Sequence, residues 1–166
     1  MGKAQAEALA CLVQSCDLGI RCIYSSDLVR AMQTAQIVAD KLRVPIMPMP
    51  EFREVNNGDL AGMKNDLADK MYPGLYWNTL DWEQRYPGGE SPKEFYERVS
   101  TAWNAFQKMV LEQNDTVMLV THGGVVNVIL SVVNRQPYAN KLYFPKIPNA
   151  ELITMEYRGE GWSVTR

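Results

Sequence analysis

The stretch that decides the fold runs from residue 116 to residue 133 and reads TVMLVTHGGVVNVILSVV. Its first six residues form an apolar run bounded by threonines, which is typical of a central β-strand covered on both faces. His122, Gly123 and Gly124 follow, and the apolar pattern from Val125 to Val133 predicts a helix. A strand that runs through two glycines into a helix places His122 at the carboxyl end of a sheet, beside backbone amides that favour an anion.

Strands and helices alternate on both sides of this unit. Upstream we predict a helix at 3–16, a strand at 20–24, a helix at 28–42 and a short or edge strand at 44–50, which carries three prolines. Downstream, residues 151–157 and 162–165 predict a closing hairpin. This alternation favours one domain over residues 1–166, a three-layer α/β/α fold with a mostly parallel central sheet.

Two helix starts are marked by capping residues. Ser25, Ser26 and Asp27 precede the second helix, and their side chains can cap it. Ser91-Pro92-Lys93-Glu94 is a capping box with proline at the first helical position, and apolar residues at helical spacing continue to Val110. This pattern predicts a long helix that begins at residue 92.

The segment from Met63 to Glu90 differs in composition from the rest of the chain. It combines tyrosines and tryptophans with prolines and a Gly88-Gly89 pair, which predicts short helices and loops in a small lid-like excursion over one face. The rings of Tyr76, Trp77 and Trp82 either shape a substrate pocket or pack into a small core, and the sequence leaves both alternatives open.

Composition excludes several classes of function. The chain of 166 residues has a net charge of -2 and a pI near 5.5, so nucleic acid and anionic membranes are disfavoured as partners. No stretch approaches the roughly 20 apolar residues of a membrane helix, and we expect a cytoplasmic protein. Cys11, Cys16 and Cys22 show no disulfide or metal spacing and are expected to be buried free thiols.

Three side chains are candidates for chemistry. His122 follows the central strand, and Arg30 lies one turn into the helix after the second strand, so both can reach one end of the sheet. A guanidinium fork suits phosphate oxygens, and Glu54, in an irregular stretch, could act as a general acid. The alternatives are a structural histidine, a solvated arginine and a solvated surface glutamate.

Several segments, taken in order, resemble the histidine phosphatase superfamily, which includes the phosphoglycerate mutases. The similarity runs from about Lys3 to the last residue. The matching segments are 25–35 (SSDLVRAMQTA), Arg53-Glu54 with Gly58 and Gly62, Gly88-Gly89-Glu90-Ser91, Thr121-His122-Gly123-Gly124 and Pro148-Asn149-Ala150-Glu151.

The resemblance implies a set of roles at a phosphate site. In the family, a histidine in an N-terminal Arg-His-Gly motif takes the phosphoryl group, and no metal or cofactor is needed. By motif, Arg30 and His122 hold the phosphoryl group, Glu54 protonates the leaving oxygen, and Gly123 and Asn149 contact the substrate. The substrate would be a small phosphorylated metabolite, or inorganic phosphate would bind.

The resemblance also implies that something is missing. Family members begin with a strand that ends in Arg-His-Gly, whereas this sequence begins at the helix that follows, so the first core strand and the nucleophile have no counterpart. We therefore expect a chain without turnover of its own, from a truncated reading frame or a natural truncation whose open edge a second copy covers by swapping or dimerisation.

The resemblance leaves alternatives for the activity. The modest excursion, with no tail after the last strand, favours a phosphatase over a glycolytic mutase. Asn57 and the segment Asp59-Leu60-Ala61-Gly62 depart from the pattern of many relatives, which affects the predicted substrate contacts. A non-catalytic module that binds phosphate, alone or completed by a partner, is the main alternative, and a structural remnant without a site is the third.

Overall fold

A computed structural model describes residues 2–165. Five helices and five strands alternate along these residues, with two single 3-10 turns at Pro50–Phe52 and Gly58–Leu60. The helices are α1 (Gly2–Cys16), α2 (Val29–Leu42), α3 (Asn65–Met71), α4 (Pro92–Gln113) and α5 (Gly123–Val133). The strands are β1 (Cys22–Ser25), β2 (Ile46–Pro48), β3 (Val117–Val120), β4 (Thr154–Tyr157) and β5 (Trp162–Thr165).

The central sheet is parallel and has three strands in the order β2-β1-β3. Ile23 of β1 lies opposite Ile46 of β2 on one side and Met118 of β3 on the other. The proline-bearing strand is at the edge, as predicted, because a proline cannot donate to a central ladder. β4 and β5 form a separate antiparallel hairpin, also as predicted.

Helices cover both faces of the sheet, which confirms the three-layer α/β fold. Successive residues of a strand point to opposite faces, so Ile23 and Tyr24 enter different cores. Ile23 packs with the buried faces of α1 and α2, and Tyr24 packs with α4, α5 and Phe52. Both cores hold the carboxyl ends of β1 and β3 in fixed positions, where the candidate site lies.

β3 is less covered than the sequence predicts. Its apolar run indicates a strand buried on both faces, but only Val120 is buried, and Val117, Met118 and Leu119 are partly exposed. The prediction of a fully covered strand is wrong because β3 pairs with β1 on one edge, and within residues 2–165 no strand pairs with its other edge.

The three cysteines are free, but the prediction that they are buried is wrong. Cys11 and Cys16 are exposed, and Cys22 is partly buried. Cys11 and Cys16 lie on the solvent side of α1, whose buried face consists of Ala6, Leu9, Ala10 and Val13. Spacing along an amphipathic helix, rather than residue type, decides which side chains are buried.

α4 begins with the predicted capping box. The Ser91 hydroxyl accepts a hydrogen bond from the Glu94 amide at 3.1 Å, and the Glu94 carboxylate accepts one from the Ser91 amide at 2.9 Å. Two amides that the helix cannot satisfy internally thus have partners. This start fixes the helix that carries Phe95, Val99 and Phe106 into the core.

Ser91→Ala is expected to lower the free energy of unfolding by about 1 kcal/mol, because the Glu94 amide loses its acceptor at a buried helix end. Urea denaturation measures the change. The control is Ser100→Ala on the same helix, whose hydroxyl donates to the Glu97 carbonyl without capping an end. Equal effects of the two substitutions would show that the capping box does not stabilise α4.

The segment from 63 to 90 is built from α3 and turns, and it packs on α4. Trp77 stands edge-on to Phe95 with ring centres 5.6 Å apart, and Leu80 is fully buried. The Asn140 amide donates to the carbonyls of Trp77 at 2.6 Å and Leu80 at 2.8 Å. These contacts tie the segment to the loop after α5.

Among the residues that the structure describes, no helix is both long and apolar enough to cross a bilayer.

Candidate phosphate site

The site forms where two adjacent parallel strands end. Ser26 follows β1 and His122 follows β3, and the Ser26 amide donates to the Val120 carbonyl at 2.9 Å. α2 and α5 begin from these two strand ends, so Arg30 of α2 and the first amides of α5 reach the same place. This is the end of a parallel sheet at which α/β proteins bind ligands.

His122 is held on both ring nitrogens. It is 8% exposed, its Nδ1 accepts from Arg30 Nε at 3.2 Å, and its Nε2 lies 2.8 Å from the Ser26 hydroxyl. Arginine has no acceptor and stays protonated, so Nδ1 carries the lone pair and Nε2 carries the proton of the neutral ring. Nε2 therefore donates to Ser26, which is fully buried.

Burial, followed by the positive charges of Arg30 and Arg98, lowers the pKa of His122 from 6.5 to about 4. Both causes disfavour the imidazolium, because burial removes solvating water and like charges repel. His122 is thus neutral at pH 7. Its Nδ1 accepts from Arg30, and the neutral ring adds no positive charge to the site.

Glu54 meets the first turn of α5. Its Oε2 accepts from the Gly124 amide at 3.2 Å, and its Oε1 accepts from the Val55 amide at 3.2 Å. A Cβ on Gly124 would lie 2.4 Å from Glu54 Oε1, so only glycine allows this approach. The carboxylate therefore occupies part of the anion-favouring N-terminus of the helix.

Tyr138 lies beside Glu54 and stacks on Tyr96 at 5.3 Å between ring centres. Burial raises the pKa of Tyr138, and the negative charge of Glu54 raises it further. Its phenol therefore stays protonated at neutral pH.

Arg98 fixes the loop that carries Glu54. Its Nη1 donates to the carbonyls of Glu51 at 2.7 Å and Arg53 at 3.0 Å, and its other nitrogens bind the Glu90 carboxylate. Glu90 also accepts from the Asn56 amide at 2.9 Å. Arg98 and Glu90 together hold the backbone on both sides of Glu54, so they are positioning residues.

The loop is also held at Gly58, whose φ is +54°. A Cβ there would lie 1.9 Å from the Pro87 carbonyl oxygen, so the Gly58 and Gly88-Gly89 segments can approach only without side chains. These are the glycines that the family resemblance singles out.

The five predicted site residues line one cavity of about 430 Å³. They are Arg30, Glu54, His122, Gly123 and Asn149. Its other charged lining residue is Glu151. Tyr76, Trp77 and Trp82 do not line this cavity; Trp77 and Trp82 pack against Phe95 and Tyr96 of α4. Of the two alternatives for these rings, packing describes the tryptophans.

Three residues around the site escape the motif-based prediction: Ser26, Arg98 and Tyr138. Ser26 was expected to cap α2 with its neighbours, but that prediction is wrong. The residue before α2 is Leu28, and no side chain caps the first turn of the helix. The Ser26 hydroxyl accepts from the Leu28 amide at 3.4 Å, before the helix begins, and it also meets His122 Nε2. Asp27 pairs with Arg53. The Gly-Gly pair was a usable signal for Gly124; Arg98 and Tyr138 gave none.

The arrangement can hold an oxyanion. Among the described residues that line the cavity, Arg30 is the sole lysine or arginine. It lies next to the N-terminus of α5. A guanidinium and backbone amides are the donors that phosphate groups prefer in proteins. A bound anion would compete with His122 for Arg30 and with Glu54 for the amides of α5.

Comparisons with known proteins agree with this fold. The family model "Histidine phosphatase superfamily (branch 1)" matches residues 1–166. The chain is 32% identical over 167 residues to "Probable phosphoglycerate mutase GpmB" of Proteus mirabilis, which covers 98% of this chain and 74% of the relative. It is 31% identical over 147 residues to "Phosphoglycerate mutase-like protein 4" of Arabidopsis thaliana, over 86% of this chain. The chain spans only 61% of that plant relative.

Solved structures share the fold. YhfR of Bacillus stearothermophilus superposes with a TM-score of 0.81 at 24% identity, over 98% of this chain and 79% of that one. The mycobacterial glucosyl-3-phosphoglycerate phosphatase Rv2419c, solved with inorganic phosphate, superposes with a TM-score of 0.77 at 24% identity. That match covers 99% of this chain and 83% of the mycobacterial one. The chain belongs to the histidine phosphatase superfamily, branch 1.

Proposed function

We propose that the chain is a domain of the phosphomonoesterase type, whose site binds a small phosphorylated metabolite in the cytoplasm and would hydrolyse it, through a phosphohistidine mechanism without metal, only where a nucleophilic histidine is supplied. The single observation that carries the proposal is the contact of Arg30 with His122 at 3.2 Å, beside Glu54 at the start of α5. It brings one cation, oriented donors and one carboxyl group to a single cavity. The mycobacterial relative that was solved with phosphate has the same fold.

In this proposal Arg30 binds the phosphoryl oxygens. Its fork turns from His122 Nδ1 to the anion, and the Gly123 amide donates from the N-terminus of α5. Asn149 also lines the cavity and is the proposed further contact to the substrate. Phosphoryl transfer needs positioned positive charge more than covalent chemistry from the protein, and this site supplies it through Arg30.

Glu54 is the proposed proton donor to the leaving oxygen. It lines the cavity, and Arg98 and Glu90 fix the backbone of its loop. Its carboxyl group is therefore held in one place. A general acid needs such positioning within hydrogen-bond reach of the leaving group. In the free site its negative charge opposes the binding of an anion.

Glu54→Gln is expected to raise the affinity for inorganic phosphate about fivefold to tenfold. The amide oxygen still accepts from Gly124, while the repulsion between the carboxylate and the bound anion is removed. Isothermal titration calorimetry at pH 7 measures the affinity. Glu51→Gln is the matched control, because Glu51 is an exposed residue just before Glu54, and its substitution should change the phosphate affinity little. Weaker phosphate binding by the Glu54 variant would contradict the proposed charge conflict.

These residues do not supply the nucleophile of the proposed reaction. The 166 residues contain one histidine, His122. Its Nδ1 lone pair faces Arg30 and its Nε2 faces the buried Ser26, so neither nitrogen is free to attack phosphorus. We therefore propose that a polypeptide of these 166 residues binds phosphate without turning over phosphomonoesters.

Hydrolysis of p-nitrophenyl phosphate tests the proposal. The 166-residue polypeptide is compared with the product of any longer in-frame gene that adds an Arg-His-Gly strand, at equal concentration. We expect phosphate binding by both and hydrolysis by the longer product alone. Acid-labile phosphohistidine on the 166-residue polypeptide would overturn the argument about the nucleophile.

The same experiment separates the second candidate function, a phosphate-binding module without catalysis. His122 is neutral, and both of its ring nitrogens are hydrogen-bonded. This favours the second candidate, because the ring can orient Arg30 but cannot attack phosphorus. Phosphate binding with no hydrolysis by either product would support it. If neither product binds phosphate or vanadate, both functions are wrong.

A further inference from the structure

Ser26 and Asp27, the two residues that follow β1, each contact a different part of the phosphate site. The Ser26 hydroxyl meets His122, and the Asp27 carboxylate meets Arg53, the residue before Glu54. α2 begins without a side-chain cap, so helix capping does not account for either contact. Their positions relative to the site suggest a different role for both residues.

Three contacts, together with the peptide bonds between neighbouring residues, close a ring around the site. Two are hydrogen bonds, from His122 Nε2 to the Ser26 hydroxyl at 2.8 Å and from the Gly124 amide to Glu54 at 3.2 Å. The third is the ion pair of the Asp27 carboxylate. The ring ties the carboxyl ends of β1 and β3 to the loop that carries Glu54.

The Ser26 hydroxyl is arranged to accept a proton from His122. The Leu28 amide donates to Ser26 Oγ at 3.4 Å and uses one of its two lone pairs. Nδ1 of His122 faces the Arg30 guanidinium, which has no lone pair, so the proton of the neutral ring lies on Nε2. The second lone pair of Ser26 Oγ receives this proton. The serine thus favours the tautomer whose Nδ1 accepts from Arg30.

Burial makes this hydrogen bond important for the tautomer. Ser26 is fully buried and His122 is almost fully buried, so water does not readily replace either partner. A buried donor that loses its acceptor carries the full cost of its lost hydration. The other tautomer would place a proton on Nδ1, where it would face the N–H of Arg30. Both costs act against any arrangement other than the observed one.

The ion pair of Asp27 with Arg53 has a fixed geometry. Arg53 Nε donates to Oδ1 at 2.6 Å, and Nη2 donates to Oδ2. The hydrogen bond from Arg53 lowers the pKa of Asp27, so the carboxylate stays charged at neutral pH. Two parallel hydrogen bonds fix the direction of a guanidinium as well as its distance. The side chains are 24% and 51% exposed, so the pair adds little to the stability of the fold.

The direction of Arg53 determines the direction of Glu54. The backbone of Arg53 is extended, with φ at -61° and ψ at 150°. Neighbouring side chains of an extended segment point to opposite sides, so Arg53 turns to Asp27 while Glu54 turns to the first turn of α5. The Thr121 hydroxyl and Arg98 hold backbone carbonyls of the same segment. These contacts fix where the segment lies, and the ion pair fixes its rotation.

We propose that Ser26 and Asp27 are positioning residues of the phosphate site: Ser26 fixes the tautomer of His122, and Asp27, through Arg53, directs Glu54 to the start of α5. Neither Ser26 nor Asp27 is among the described residues that line the cavity, so both act through other side chains. The inference rests on the proposed function, because it concerns the same site.

NMR of the imidazole nitrogens in isotopically labelled protein tests the role of Ser26. At pH 7 we expect the unmodified chain to show a protonated Nε2 and an unprotonated Nδ1. Ser26→Ala removes the acceptor of Nε2, and we expect the population of the other tautomer to rise at least fivefold. The 166 residues contain one histidine, so the signals need no assignment.

Ser25→Ala is the matched control for Ser26→Ala. Ser25 is equally buried, but its hydroxyl donates to the Ser26 carbonyl at 2.8 Å and contacts no side chain of the site. We expect this variant to keep the tautomer of the unmodified chain. Equal changes in the two variants would overturn the role of Ser26. A protonated Nδ1 in the unmodified chain would also overturn it, whether or not the alanine variants fold.

Hydrogen exchange of the Gly124 amide tests the role of Asp27. Asp27→Ala is expected to speed this exchange about threefold to fivefold, because Glu54 spends less time on the amide when its segment can rotate. The Val126 amide, which donates to the His122 carbonyl within α5, is the internal reference. A general loss of stability would speed both amides equally and would overturn the role of Asp27.

Asp40→Ala is the matched control for Asp27→Ala. Asp40 is an exposed aspartate of α2 that accepts from Gln36 at 2.7 Å, away from the site. Its substitution should leave the Gly124 amide unchanged relative to Val126. An effect as large as that of Asp27→Ala would contradict a specific role for the ion pair.

A double-mutant cycle tests whether Asp27 acts through Arg53. Arg53→Met should speed exchange of the Gly124 amide as much as Asp27→Ala does, and the double variant should add nothing to either. Arg53→Lys should restore part of the protection, since an ammonium keeps the charge but not the second donor. Effects that multiply in the double variant would overturn the proposed route.

These measurements separate the positioning role from the proposed function, because none of them needs phosphate. Titration of the unmodified chain with phosphate is scored separately. Phosphate binding with an unmoved tautomer and unmoved Gly124 exchange in the variants would overturn the positioning role alone. The expected changes in both signals without phosphate binding would overturn only the proposed function.

Discussion

Replacing Arg30 by methionine is expected to weaken the binding of inorganic phosphate by about 100-fold at pH 7, which corresponds to about 2.7 kcal/mol. Arg30 is the sole cation among the described residues that line the cavity, and Glu54 and Glu151 line it too. Without the guanidinium, a dianion would enter a cavity with two carboxylates and no compensating charge. A hydrogen bond to a charged group contributes about 1.5–3 kcal/mol, and a guanidinium makes two to one phosphate.

Calorimetric titration with phosphate, and competition with vanadate, measure this loss. Lys41→Met is the matched control, because it removes one positive charge from the exposed last turn of the same helix. Arg30→Lys should recover part of the affinity, since an ammonium keeps the charge but not the fork. If the methionine variant binds phosphate as the unmodified chain does, the phosphate site lies elsewhere.

The stability of the chain is expected to fall by about 3 kcal/mol between pH 6.5 and pH 4 through His122 alone. The pKa of His122 is about 4 in the folded chain and 6.5 ordinarily. Between these values the unfolded chain binds a proton that the folded chain does not, so the free energy of unfolding rises with pH. The contribution is fully present above pH 6.5 and is lost as the pH falls towards 4, at about 1.4 kcal/mol per pH unit.

Urea denaturation across this range, for the unmodified chain and for His122→Gln, isolates the effect. The glutamine side chain can still hydrogen-bond, but it does not titrate. Between pH 6.5 and pH 4 the variant should therefore lose about 3 kcal/mol less of its free energy of unfolding than the unmodified chain loses. Carboxylates that titrate in the same range contribute equally to both proteins. Parallel curves for the two proteins would contradict a depressed pKa.

The single histidine makes a direct measurement available. The 166 residues contain only His122, so one imidazole resonance in a proton NMR titration reports its pKa without assignment. We expect about 4 for the free chain. Saturating phosphate should raise this value, because a bound dianion favours the imidazolium. A pKa near 6.5 would indicate an exposed ring and would remove the reason for its neutral tautomer.

The contact between Arg30 and His122 explains why these two measurements are linked. Arg30 Nε donates to the ring nitrogen, and the charge of Arg30 also keeps the ring neutral. When Arg30 turns to an anion, the ring loses a donor and a repulsive charge together. We therefore expect any change in the contact between Arg30 and His122 to alter both the phosphate affinity and the pKa of His122.

The sequence predicted the elements whose signals are local. The apolar run before His122 marked β3, the Ser91-Pro92-Lys93-Glu94 box marked the start of α4, and three prolines marked β2 as an edge strand. Parallel strands joined by helices must end at one edge of a sheet. This rule alone predicts Arg30 and His122 at one end of the sheet.

The burial of the β3 side chains could not be predicted in the same way. Its apolar run is the pattern of a strand covered on both faces, yet burial depends on what lies beside the strand as well as on its residues. The open edge of β3 leaves three of its four residues partly exposed. The cysteines of α1 show the same limit, because helix rotation decides which of them reaches solvent.

By itself, then, the sequence determined the α/β layering, the family and the motif residues Arg30, Glu54 and His122. Only the tertiary structure decided what each of them touches. Ser26 meets His122 across 96 positions of the chain, Arg30 meets it across 92, and Glu54 meets Gly124 across 70. Local spacing carries no information about such pairs, because packing of the two cores sets the distances that fix the tautomer, the charge and the position of each group.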